Sequence, residues 1–157
     1  MIRLAVVWVG NRPERAWEQL AEEYEGRLRR LAELSVVRVR PEVGREGDRR
    51  RALAREAEQI ARHLRPDDHL VALDEAGEQR SSEDLAGWLG ERGATARLAF
   101  VLGSDLGLDG ALRERARERL SLSRLTLPHL LARLVLLEQL YRALDIASGG
   151  SYHRRRV

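Results

Sequence analysis

Residues 97–107 read RLAFVLGSDLG: five consecutive apolar residues, then a turn built on Gly103, Ser104, Asp105, Leu106 and Gly107. An apolar run this short, with branched and aromatic members and no polar alternation, predicts a strand buried on both faces. Such strands belong to parallel sheets covered by helices. Working outward, residues 3–9 (RLAVVWV) form a second run of this kind, ending at Gly10, and residues 69–73 (HLVAL) a third. Residues 35–40 (SVVRVR) predict one more strand.

The segments between these runs carry helical spacing. Residues 13–34 place Trp17, Leu20, Ala21, Tyr24, Leu28 and Leu31 on one face, with Pro13 in the first turn. Residues 49–64 are an amphipathic helix stopped by Pro66, and residues 82–91 a helix capped by Ser81 or Ser82. Residues 74–79 look like a turn. Residues 112–120, rich in Arg and Glu, predict a short solvated helix, and residues 121–127 a strand or loop. Residues 128–147 form the longest apolar helix, with Leu130, Leu134, Leu137, Tyr141 and Leu144 as one stripe. Alternation of this kind predicts an α/β fold, a mostly parallel sheet flanked by helices. With no repeat or linker, residues 1–157 are expected to form a single domain.

Composition narrows the chemistry. The chain has 157 residues and no cysteine, which excludes a disulfide framework, a thiol nucleophile and a Cys-ligated metal. His63, His69, His129 and His153 are far apart, so no metal site is expected. No segment has the roughly 18 apolar residues of a membrane span, and Met1 does not lead into a signal peptide. A cytoplasmic protein is the expectation. All 28 basic residues are arginine; residues 120–157 carry a charge of +4, leaving the first 119 at −1. A basic end on a near-neutral body predicts an anionic partner, with nucleic acid the usual one.

In a parallel sheet, ligands bind at the carboxyl ends of strands. Two such ends stand out, Leu73-Asp74 and the loop from Gly103 to Gly107. The loop fits neither GxGxxG nor a P-loop, so a dinucleotide site and a Walker ATPase are disfavoured. Ser121, Ser123 and Thr126 can bond to backbone or ligand, and Leu122, Leu125 and Leu127 offer an apolar wall, although the same segment would also serve as a plain helix lead-in. Glu138 and Arg142 are four apart on the last helix, the spacing of an ordinary helical ion pair. The tail joins Gly149 and Gly150 to Tyr152, His153, Arg154, Arg155 and Arg156, rings and cations of the kind that hold looped RNA.

Together, SLSRLTLPH at 121–129, EQLYRA at 138–143 and YHR at 152–154 closely resemble the SPOUT-class methyltransferases of the RlmH family, which methylate N3 of a pseudouridine in 23S rRNA. The resemblance covers essentially the whole chain. One departure stands in the glycine turn: the family's GGxxG is here Gly103-Ser104-Asp105-Leu106-Gly107. The resemblance implies a C-terminal deep trefoil knot and a homodimer. It also implies S-adenosylmethionine held by Leu73, Gly103, Leu122, Ser123, Arg124, Leu125, Thr126 and Leu127, in a pocket completed by the partner. The implied substrate lies in helix 69 of 23S rRNA within the assembled ribosome. His153 is the candidate to move the N3 proton, with Arg142 and Tyr152 beside it, and Glu138, Arg154, Arg155 and Arg156 as substrate contacts. A SPOUT enzyme acting elsewhere on RNA, or a non-catalytic RNA-binding assembly factor, are the alternatives.

Overall fold

The computed structural model describes residues 1–42 and 48–154. Five strands, β1 (Ile2–Val9), β2 (Ala32–Val39), β3 (His69–Gln79), β4 (Leu98–Leu102) and β5 (Glu118–Ser121), pair in the order β2-β1-β4-β3-β5. Every pairing is parallel. Helices α1 (Arg15–Arg29), α2 (Arg49–Ala61), α3 (Ser82–Gly93), α4 (Gly110–Arg115) and α5 (His129–Ala147) connect and cover them, and a 3₁₀ turn at Tyr152–Arg154 follows. The predicted α/β class and parallel sheet are what the chain forms.

Alternate residues of the central strands feed two apolar layers. Leu4, Val6, Trp8, Phe100 and Leu102 pack toward the α1, α3 and α5 face. Ala5, Val7, Val9, Ala99 and Val101 pack with Ile60 of α2 and Leu112 of α4 on the other. This two-sided burial is why β1 and β4 have no polar alternation. No helix among the described residues is long and apolar enough to cross a membrane.

Several predicted boundaries move, each for a physical reason. Strand β2 begins at Ala32 because all eight residues of β1 pair with it, from Ile2–Ala32 to Val9–Val39. That pairing claims residues 32–34, which helical spacing had given to α1. Pro13 lies two residues before α1 rather than in its first turn. Residues 74–79 are not simply a turn: β3 runs to Gln79, and its register to β5 shifts between Leu73 and Glu78. The bulge is turned by Asp74, whose carboxylate accepts the Ala76 amide at 3.0 Å. Residues 112–120 split into α4 and β5. The reason is that Leu112 and Leu120 are buried in opposite layers, which one short helix cannot do. Helix α5 buries Arg133, Leu136, Leu137, Leu140, Ala143 and Leu144, so its face is rotated from the predicted stripe. Leu130, Leu134 and Tyr141 stay partly exposed.

Candidate active site

Because β3 and β4 are neighbours in the sheet, their carboxyl ends open side by side. Between them lies a cavity of about 440 Å³, within the range of small-molecule sites. Gly103 lets the backbone double back there, since a Cβ would stand 2.2 Å from the Gly107 carbonyl oxygen. Gly107 has φ of +92°, which glycine adopts without strain. Ser104, the departure from GGxxG, donates its hydroxyl to buried Glu56 of α2 at 2.8 Å. The substitution thus ties the loop to α2 and leaves the turn intact.

Leu73, Gly103, Leu122, Ser123, Leu125 and Leu127, six of the residues expected to hold a cofactor, line this cavity. Leu125 is 74% exposed, an apolar side chain at the rim with no core to join. Arg124 and Thr126 do not line the cavity. They are exposed on the loop, and the Thr126 hydroxyl stands 3.4 Å from Glu75. Sequence reasoning reached parts of the polar wall without giving its side chains a role. His129 Nδ1 lies 2.8 Å from Asp105, and Arg113 stands 3.6 Å from Asp74 with its Nε buried and without a hydrogen-bond partner. The strand-end rule that found Leu73 and Gly103 also reaches Asp74 and Asp105. Nothing in the sequence singles out Arg113 among its charged neighbours.

The predicted catalytic residues gather elsewhere. Glu138 accepts two guanidinium hydrogen bonds from Arg142, at 2.6 and 3.0 Å, and the Tyr152 hydroxyl at 3.1 Å. The Glu138 hydrogen bond keeps Arg142 more firmly protonated than usual, against the cost of burial. Burial first, then hydrogen bonding with Tyr24 and the charge of Glu138, push the Tyr152 phenol well up, so it stays a donor. Asp145 accepts the Tyr152 amide at 2.9 Å and folds the tail back. Arg142 Nη1 lies 3.2 Å from His153 Nδ1, and His153 Nε2 lies 2.8 Å from Glu83. A guanidinium can only donate, so Nδ1 accepts, and the Nε2 proton points to Glu83. Arg154 is exposed, while Arg155 and Arg156 lie outside the described residues.

The two groups stand at opposite ends of α5. His129, its first residue, lines the cavity, and Tyr152 and His153 follow its last turn. At about 1.5 Å per residue, 19 helical residues separate them by roughly 28 Å.

Comparison with known proteins adds the lineage. The family described as "Predicted SPOUT methyltransferase" matches residues 2–153. The ribosomal RNA large subunit methyltransferase H of Gloeobacter violaceus is 42% identical over 152 residues, 97% of this chain and 99% of that one. The chain belongs to the methyltransferase H family of SPOUT proteins. The methyltransferase H of Bifidobacterium adolescentis is 38% identical over 159 residues, covering 98% of this chain and all of its own. Among solved structures, the SpoU methyltransferase AviRb from Streptomyces viridochromogenes, in complex with AdoMet, superposes with a TM-score of 0.47 at 18% identity, over 94% of this chain and 59% of that chain.

Proposed function

We propose that this SPOUT methyltransferase transfers a methyl group from S-adenosylmethionine to N3 of a pseudouridine in helix 69 of 23S rRNA. The observation that carries the reading is the cavity at the ends of β3 and β4. It combines a backbone cradle at Gly103, a leucine wall and a polar rim, in a chain whose relatives bear a ribosomal RNA methyltransferase name over their full length.

The residues fit the cofactor. Leu122, Leu125 and Leu127 suit an apolar ring, the close approach at Gly103 leaves backbone groups within reach of its edge, and Asp74 and Glu75 suit its cationic end. When bound, S-adenosylmethionine supplies an electrophilic methyl group on sulfur. What the protein must add is position and proton management. The N3 proton has to leave as the new bond to carbon forms, and the His153 imidazole takes it at Nδ1 once the bound base displaces the Arg142 guanidinium from that nitrogen. Arg142 orients that imidazole through Nδ1, and Glu138 holds both Arg142 and Tyr152 in place. Glu138 is therefore an organiser of the tail more than a direct contact to RNA.

A tail roughly 28 Å from its own cavity serves catalysis best across a homodimer, where the tail of one protomer reaches the pocket of the other. The partly exposed leucines of α5, Leu130, Leu131 and Leu134, support such a pairing. The reading extends to one domain with a C-terminal trefoil knot, acting in the cytoplasm on the assembled ribosome. The test is methyl transfer to ribosomes from a strain lacking the native enzyme, followed by nucleoside mass mapping. A methyl group on N3 of the helix 69 pseudouridine is the expected result. A mark on another atom or RNA would refute the assignment, and cofactor binding with no transfer would favour the assembly-factor alternative.

A further inference from the structure

On the same helix as the cofactor cavity's His129 and Ala132, the next residue, Arg133, faces a different space. Arg133 is 3% exposed, stacks over the Trp8 ring at 4.1 Å, and reaches Glu18 at 3.4 Å. Its Nη1 is buried with no hydrogen-bond partner among the described residues. A buried guanidinium nitrogen left unpaired costs free energy, so such a group is aimed at something. It lines a second cavity, of about 380 Å³, together with Arg12, Arg38, Glu18 and Glu25. Three guanidiniums against two carboxylates leave this cavity net positive, and Glu25, one of the two, also faces Arg29 at 3.5 Å. Arg38 is held in place by donating to the Gly10 carbonyl at 2.9 Å. Gly10 itself packs close to His129 of the first cavity, where an added Cβ would stand 3.2 Å from the imidazole. The two cavities thus share a wall.

We propose that this second cavity is a phosphate site that grips the RNA backbone beside the target base, with Arg133 and Arg12 as its donors. The inference rests on the functional reading above. Arginine's fixed fork suits phosphate oxygens, and a site one wall away from the methyl donor fixes where the target nucleotide lies. A second copy of the chain is the other conceivable occupant. The face through which the copies are proposed to pair is the leucine one of Leu130, Leu131 and Leu134, which offers no anion to these guanidiniums.

The experiment uses the full chain, with ribosomes lacking the methyl mark as probe. Arg133→Met keeps an unbranched chain over Trp8, and Arg12→Gln changes an exposed residue of the loop between β1 and α1. Each is expected to lower the slope of log affinity against log salt by about one and to weaken binding several-fold at low salt. Cofactor affinity by calorimetry and dimer mass by sedimentation stay at the wild-type values. Unchanged salt slopes in both variants, with wild-type protein binding normally, would overturn the phosphate site and leave the functional reading intact. A loosened dimer with unchanged binding per dimer would assign the cavity to the second copy instead. Failure of the wild-type protein to bind ribosomes would sink both.

Discussion

At Gly103 a single methyl group decides whether the pocket exists. Its Cβ would collide with the Gly107 carbonyl oxygen, and Gly107 cannot move far because its own amide donates to the Ser104 carbonyl at 2.8 Å. Gly103→Ala is therefore expected to reduce S-adenosylmethionine affinity at least tenfold in calorimetry, at a stability cost of about 1–3 kcal/mol in urea unfolding. Normal affinity in the folded variant would remove the loop from the site. The pair of glycines was readable from the sequence because a turn after a buried strand needs them. Arg133 was not. Counted as one more charge in a basic region, it gives no sign of lying on Trp8, 125 residues earlier in the chain, until the sheet sets α5 across β1. Glu56 was equally hidden, since its partners Ser104 and the Glu42 amide come from distant loops.

Between elements, the entry points of β3 and β4 are clamped by Asp68 and Arg97. Two guanidinium hydrogen bonds join them, at 2.6 and 2.8 Å, and both side chains are nearly buried. Burial alone would raise the Asp68 carboxyl, but Arg97 and the Arg65 amide more than offset it and hold the group below the usual carboxylate range. A folded-state pKa below the unfolded one stabilises the protein above the unfolded value and stops doing so as pH falls through the folded one. Arg97→Met should thus cost about 3–5 kcal/mol at neutral pH, and the gap to wild type should narrow once acid protonates Asp68. Urea unfolding at pH 7 and pH 3 checks this; an equal gap at both would mean the ion pair contributes nothing. Strands β1 and β4 were legible as elements because two-sided burial writes an unbroken apolar run. The second half of β3 and all of β5 were not. Glu78 and Gln79 follow a bulge that only the partner strand defines, and Glu118–Ser121 look polar in sequence because β5 is the sheet's edge.

For the whole molecule, the distribution of charge agrees with the distribution of sites. On the proposed function, the basic C-terminal stretch would meet RNA at one end of α5, and the cavity would take the methyl donor at the other. If dimers bring the two together, sedimentation should show a dimer at the concentrations where the enzyme turns over; a monomer with full activity would contradict the composite site. The length of α5 then has a genetic consequence. At cofactor concentrations that leave the Gly103→Ala pocket empty, that chain and a chain lacking residues 152–157 should each be nearly inactive alone. Mixed by unfolding and refolding in equal amounts, half of the dimers would contain one of each, and each of these would own one intact pocket facing one intact tail. Activity should return to about a quarter of the wild-type level. Two broken alleles would complement each other, because the helix that holds the fold together also keeps each subunit from reaching its own substrate.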